Sequence, residues 1–306
     1  MKVGDIGEFG LIKIIREMTG CGGDDAFLWK GSYPLSFITV DALVEGVHFD
    51  RDFCSMEDVG WKAIVSGVSD IAGMGALPRY AVISLGIPSS MEVSEIEGLY
   101  RGILEASSEY GVSVAGGNIT RSDVFFVSTS VIGEGEGYLS RNCAVPGELI
   151  GITGFTGLSS GGLRVLREGR DCEFLKMAYL RPRARIGEGR ILLGEGVRCA
   201  IDVSDGVVMD LKRICEESGV GARIWVRSFP VHPKLKEEFG DEALVLALSG
   251  GEDYELLFTA EDRIMERLKK RMPNMAVIGE ILKEPCEKVI DEDGREIEGG
   301  WEHLKS

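Results

Sequence analysis

Apolar residues recur along the chain in two rhythms. Runs rich in β-branched residues at Leu35–Val40, Tyr80–Ile87 and Val124–Ile132 predict strands. Between them, apolar spacings of three and four residues predict helices. Glu8–Glu17, with Phe9, Ile12 and Ile15 in register, predicts a short helix. Met56–Val68 predicts a helix that delivers Asp70. Ser94–Tyr110 predicts another: Ser94 and Glu97 have capping-box spacing, Ile96, Leu99, Ile103 and Leu104 share a face, and Gly111 is a stop.

Glycine and proline cluster at Gly133–Gly137 and Pro146–Gly147, which predicts a boundary. Residues 1–145 would form an N-terminal domain and residues 146–306 a C-terminal domain. The second half offers strands at Leu149–Thr153, Val197–Val203, Arg223–Val226, Ala243–Leu248, Glu255–Thr259 and Met275–Leu282. Gly157–Gly162 reads as a loop before a helix. Gly206–Ser218 reads as a helix with Val207, Val208, Leu211, Ile214 and Cys215 inward, ending at Gly219. The expected fold class is an α/β half followed by an α+β half.

With 306 residues the chain can hold two ordinary cores. Its formal net charge of −16 repels nucleic-acid phosphates and anionic lipid, so neither is an expected partner. The seven cysteines are widely spaced, odd in number and lack a C-x-x-C pair, which fits a reducing cytoplasm better than a disulfide or zinc framework. No signal peptide and no bilayer-length apolar run are visible.

Short acidic motifs change the picture. Gly22-Gly23-Asp24-Asp25, Val68-Ser69-Asp70 and Asp202-Val203-Ser204-Asp205-Gly206 each put a carboxylate beside Gly or Ser, and Asp41 follows the first strand. Each has a plain reading. Gly-Asp is turn chemistry, Asp70 can cap a short segment, and Asp205 or Ser204 can cap the helix after it. Together they suit magnesium, a hard ion that takes oxygen ligands and keeps waters and substrate phosphates. Ser249-Gly250-Gly251-Glu252-Asp253-Tyr254 reads as a hairpin turn or as a loop that faces a ligand. Gly116-Gly117-Asn118 reads as a turn that could approach a phosphate. Arg141 could pair with a phosphate or with a surface acid. His48 is structural or lies near Asp41. No Walker loop, protein-kinase signature, H-E-x-x-H or G-x-S-x-G occurs.

The ordered set Gly22–Asp25, Thr39-Val-Asp41 with Gly46-Val-His48-Phe49, Ser69–Ala76, Gly116–Arg121, Asp202–Gly206 and Ala247–Tyr254 resembles thiamine-monophosphate kinases. These belong to the larger group of proteins similar to aminoimidazole ribonucleotide synthetase. The resemblance runs from Gly7-Glu-Phe to Gly300-Trp-Glu-His303. It implies a two-domain fold whose N-terminal sheet pairs with its copy in a homodimer, forming a barrel, and whose C-terminal domain closes a cleft. It implies phosphorylation of thiamine monophosphate by ATP with several Mg²⁺ ions. By motif, Asp25, Thr39, Val40, Asp41, Asp70, Asn118, Asp202 and Asp205 would serve metal. Gly117, Asn118, Arg141 and Ser204 would contact ATP. His48, Glu252 and Trp301 would contact thiamine phosphate. Asn118 departs from the family's usual Asp, and Gly67 from its usual Asn. A synthetase of the same group, acting on a ribonucleotide amide or a selenium compound, and a non-catalytic nucleotide-binding protein are the other readings.

The acceptor chemistry is consistent with this. A phosphate monoester has a second pKa of about 6, so it is largely ionised at neutral pH and needs no strong base. The scarcity of histidine fits that demand. Direct in-line transfer is expected.

Overall fold

The computed structural model describes residues 27–29 and 34–302. The Gly22–Asp25 motif, the helix expected at Glu8–Glu17 and His303 lie outside them.

The first half is built on a five-stranded sheet in the order β1-β2-β5-β3-β4. Its strands are β1 (Phe27–Trp29), β2 (Leu35–Val44), β3 (Leu77–Ile87), β4 (Ser113–Arg121) and β5 (Phe126–Gly135). All neighbours are antiparallel except β3 and β4. Helices α1 (Met56–Gly73) and α2 (Val93–Tyr110) complete this half. Phe37, Leu43, Ile83, Leu85, Val127 and Val131 from the sheet share a core with Ile64, Val68 and Ile71 of α1 and Leu99 and Ile103 of α2.

α1 starts at a capping box in which Ser55 and Asp58 satisfy each other's backbone N–H. It is buried along most of its length. The α1–α2 crossing is held close by glycine. A β-carbon at Gly60 would overlap the Leu99 carbonyl oxygen, and one at Gly102 would overlap that of Glu57. The capping box of α2 lies two residues earlier than its sequence suggests, with Glu95 accepting from the Glu92 N–H at 2.8 Å. Gly111 ends α2 in a left-handed conformation, as expected (φ 67°). Leu104, expected inward, is exposed.

The second half carries a six-stranded sheet, β11-β8-β10-β6-β9-β7. In chain order these are β6 (Leu149–Ile152), β7 (Cys199–Asp202), β8 (Gly221–Ile224), β9 (Leu256–Ala260), β10 (Ala276–Leu282) and β11 (Val289–Ile290). The helices are α3 (Leu158–Arg167), α4 (Glu173–Leu180), α5 (Ile186–Gly194), α6 (Val207–Ser218), α7 (Pro233–Phe239), α8 (Glu242–Ser249) and α9 (Asp262–Arg271).

Three expectations fail here for physical reasons. Ala243–Leu248 is helical, not a strand. Its alternating Ala and Leu are strong helix formers, and a short apolar run does not by itself separate the two states. The segment 249–254 therefore joins a helix to β9 and is not a hairpin turn. Gly157–Gly162 is mostly the first turns of α3. Gly161 and Gly162 let this helix approach Leu235 and the Leu175 carbonyl. In the first half, Gly116–Arg121 is not a turn but part of β4.

The two halves pack into one another. The Trp61 indole donates to the Pro182 carbonyl (2.7 Å), Arg181 pairs with Asp58 (2.6 Å), and Gly189 of α5 lies against the Ala72 carbonyl of α1. Tyr179 and Tyr254 from the second half join the first core. α1 thus touches both sheets and runs along the seam between the halves.

Candidate functional site

The seam collects the acidic residues. On β2, Phe37, Thr39 and Leu43 are buried, so by strand alternation Asp41 faces the core side with them. α1 meets that face with Ser66, Ser69 and Asp70, one helical turn apart and adjacent. The Thr39 hydroxyl donates to Asp70, in a short contact. Ser69 donates to Asp202 Oδ2 at 2.6 Å, which ties α1 to the end of β7. Asp41, Asp70 and Asp202 are thereby brought together from both halves.

The aspartates of the cluster repel one another, and the Arg141 and Arg213 guanidiniums offset this only in part. Burial, followed by repulsion from Asp202 and Asp205, pushes the Asp41 carboxyl up to about 7. Burial, then Asp41 and Asp202, raises Asp70 well above the usual carboxylate range. Asp202 is raised by burial, against the opposing pull of the Ser69 hydroxyl and the Arg141 guanidinium. Such a cluster favours a cation. Among the described residues no three His, Cys, Asp or Glu side chains converge closely enough to hold a metal by themselves. Magnesium fits this set nonetheless, because it is held by one or two carboxylates with waters and phosphates. Every donor here is oxygen.

Two loops close the other side. Residues 203–204 and 252–255 are hydrogen-bonded to each other: Val203 N to Glu255 O (2.7 Å), Glu252 N to Ser204 O (2.8 Å) and Tyr254 N to Val203 O (2.9 Å). Glu252 and Tyr254 both have positive φ (63° and 53°), an unusual choice for side chains of this size. A β-carbon at Gly206 would sit 2.7 Å from the Ser249 carbonyl oxygen, so glycine is required where the loops meet.

The remaining sequence candidates divide. Asp205 is nearby but forms an ion pair with Arg213. Ser204 belongs to the same loop, and Arg141 acts on Asp202. Trp301 is 53% exposed, and its backbone N–H bonds the Asp205 carbonyl at 3.0 Å. It lies at the loop and is not buried as a core anchor. His48 sits in the turn after β2, with Nδ1 accepting from the Val44 N–H at 3.1 Å. Val40 points away from Asp41, as alternation demands, and is 63% exposed; only its backbone can serve the cluster. Gly117 and Asn118 are not brought to the aspartates within one chain. Gly117 shares a cross-strand row with Asp41, through Thr129 and Ile83. Three strand spacings put it about 14 Å away. Asn118 pairs with Ser84 and falls on the opposite face. Asp25 lies outside the described residues.

Asp210 was missed in the sequence, and Asp253 was marked there only as part of a loop that could face a ligand. Asp210 is buried and accepts from the backbone N–H groups of Ser204, Asp205 and Gly206, each at 3.1 Å, fixing the shape of the loop. Burial raises it to about 7, with the Arg213 guanidinium opposing. Asp253 is spent on α3, accepting from Gly157 N (2.5 Å) and Ser159 N (2.9 Å). The i, i+4 spacing from Gly206 to Asp210 could have suggested the first role. Asp253 was expected to face a ligand, and it faces the backbone at the start of α3 instead.

Comparison with known proteins identifies the family. The family described as AIR synthase related protein matches twice, its N-terminal domain over residues 6–134 and its C-terminal domain over residues 145–292. The thiamine-monophosphate kinase of Aquifex aeolicus is 37% identical, over 99% of this chain and 100% of that one. The Bacillus subtilis enzyme of the same name is 34% identical, over 92% and 93%. The solved complex of AaThiL with AMPPCP and TMP has a TM-score of 0.92 at 35% identity, covering 99% of both chains. A hydrogenase maturation protein solved with ATP has a TM-score of 0.72 at 19% identity, covering 88% of this chain and 86% of that one, and shares the fold. Family and geometry lead to one conclusion: the chain belongs to the thiamine-monophosphate kinases, within the AIR synthase related proteins.

Proposed function

We propose that the protein transfers the γ-phosphoryl group of ATP to thiamine monophosphate, giving thiamine diphosphate and ADP. The observation that carries this is the meeting of Asp41, Asp70 and Asp202 at the seam, in a family that includes a structure solved with AMPPCP and TMP. A phosphate oxygen of the acceptor forms a bond to the γ-phosphorus as the bond to the β-phosphate oxygen breaks. The acceptor is largely ionised at neutral pH, so no side chain has to remove a proton.

Thr39, Asp41, Asp70, Asp202 and Asp205 would hold magnesium, with Asp25 and the backbone of Val40. Held there, magnesium would supply positive charge between two polyanions. The chain's own residues do the rest. Thr39 and Ser69 orient the carboxylates, and Asp210 keeps the Ser204–Gly206 backbone in shape for the nucleotide. Asp205 pairs with Arg213 through Oδ2 and would offer a metal its other oxygen, while Arg213 stays anchored on Asp210 (2.8 Å). His48, Glu252 and Trp301 take the thiamine end.

Residues 1–145 and 146–306 are read as the two domains. The outer face of the first sheet exposes Val40, Tyr80 (51%) and Val82 (37%), and β4 is an edge strand. An exposed apolar face beside an open edge is a pairing surface. We read it as the homodimer interface, in which β4 of one copy and the aspartate cluster of the other can share one nucleotide. Replacing Val40 and Val82 with Asp should yield monomers of unchanged helix content in sedimentation. A persisting dimer would refute that assignment. Among the described residues no helix is long and apolar enough to cross a membrane, and a cytoplasmic location is proposed.

Protein supplied with ATP, magnesium and thiamine monophosphate should form thiamine diphosphate and ADP in equal amounts. Thiamine-independent ATP use at the same rate would refute the reading, and protein-bound label from γ-labelled ATP alone would refute direct transfer. A Trp301→Ala variant should raise the KM for thiamine monophosphate about 2- to 30-fold, the worth of one ring–cation contact. Its KM for ATP should hardly move. Equal changes in both would contradict ring recognition.

A further inference from the structure

Lys62 has no part in the motifs above, yet it is among the largest fully buried side chains of the described residues, at 1% exposure. Removing an ammonium from water costs several kcal/mol unless it is well paired. A methionine of similar length would fill the same space without that cost. Lys62 lies on α1, two helical turns before Ser69 and Asp70. Its Nζ donates to Glu252 Oε2 at 2.9 Å and stands over the Tyr179 ring, 3.8 Å from the centroid. The Tyr179 hydroxyl in turn donates to the His48 carbonyl at 2.9 Å.

One buried cation and one ring therefore join the two segments that hold His48 and Glu252. Both segments lie outside the helices and strands: His48 is in the turn that contains Gly46 (φ 80°), with its N–H on the Val44 carbonyl, and Glu252 has a left-handed backbone. Without Lys62 the Glu252 side chain would have several rotamers open to it. With it, Oε2 is engaged. No protein hydrogen bond to Oε1 is found among the described residues, and a quarter of the Glu252 side chain stays exposed (25%). A carboxylate held by one oxygen offers the other to a single N–H donor.

We propose that Lys62, with Tyr179, is a positioning residue for the heterocycle of the acceptor. It fixes Glu252 so that one carboxylate oxygen accepts from an exocyclic amine, and it holds the His48 turn at the matching distance. This rests on the reading that Glu252 contacts the acceptor, and it adds a selection: an amine-bearing ring is preferred over its oxo analogue, which presents an acceptor there.

The test is a double-mutant cycle of Lys62→Met and Glu252→Gln. KM for thiamine monophosphate, its 4-oxo analogue and ATP is measured for each variant, alongside thermal melting. Lys62→Met should raise KM for thiamine monophosphate about tenfold or more, the usual worth of a hydrogen bond to a charged group. The preference over the oxo analogue should shrink, and KM for ATP should stay within about twofold. In the Glu252→Gln background, Lys62→Met should add little, because it acts through that carboxylate. Equal shifts in both KM values, or additive effects in the cycle, would overturn the proposal. If Glu252→Gln alone leaves the thiamine monophosphate KM unchanged, the acceptor assignment itself is wrong and the proposal falls with it. If Glu252→Gln raises it and Lys62→Met does not, only the role of Lys62 is wrong. Should Lys62→Met fail to fold, Tyr179→Phe decides. It keeps the ring and removes the bond to His48, so a rise of about threefold confined to thiamine monophosphate supports the role. No rise rejects it.

Discussion

Replacing Asp70 with Asn should cut turnover about 10²–10³-fold while leaving the ligand-free protein at least as stable as the parent. The asymmetry follows from the cluster. Asp70 is raised by burial and by Asp41 and Asp202, so its charge is unwelcome in the folded chain. Asn keeps an oxygen to accept the Thr39 hydroxyl but removes that charge. The sign with pH follows. A carboxyl raised in the folded state favours folding at low pH and loses that contribution as pH climbs toward the raised value. The variant has no such loss, so its advantage in chemical denaturation should widen as pH rises above the ordinary carboxylate range toward Asp70's raised value. Normal turnover in magnesium, or a destabilised ligand-free variant, would show that Asp70 serves the fold and not a cation.

The largest effect on stability is expected at Gly102. A Gly102→Val change should cost about 2–3 kcal/mol in denaturant titrations, the range for forcing extra carbon into a packed core. The new β-carbon would meet the Glu57 carbonyl, and backbone cannot rotate away as a side chain can. Gly60 answers from the other helix against Leu99, so the α1–α2 crossing has glycine on both sides. Gly98 is the control. Its built β-carbon meets Met56 Cβ at 3.4 Å, an ordinary contact, and Ala there should be neutral or slightly stabilising by helix propensity. Equal losses at both positions would mean that the crossing distance is not what glycine sets.

Much of the site was legible because its carboxylates stand where chain pattern changes. Asp41, Asp70 and Asp202 lie in or beside strongly apolar elements, Asp41 before Ala42, Asp70 after Ser69 and Asp202 two residues before Ser204. Long periodic segments such as 56–68 and 94–110 were legible for the same reason. What was not legible depends on partners far along the chain. Lys62 is one charged residue in a helix, a pattern that ordinarily marks a solvated face, and only Glu252, 190 residues later, makes it a buried pair. Asn118 follows two glycines and so read as a turn, but parallel pairing with β3 made it a strand. Ala243–Leu248 read as a strand from six apolar residues, but it is a helix packed against α7 and α3.

Lys62 and Ser69 share one α-helical stripe with Asp70 beside it, about 100° further round, and the distance between them is counted in residues. Adding or deleting one residue between positions 62 and 69 would swing everything downstream by about 100°, turning the acid away from its companions while the lysine stayed put. Surface connections elsewhere in the chain can grow or shrink without penalty of that kind. Drift in this lineage is therefore free to lengthen its loops, whereas this stretch of eight positions behaves as a ruler that inheritance must copy without slippage.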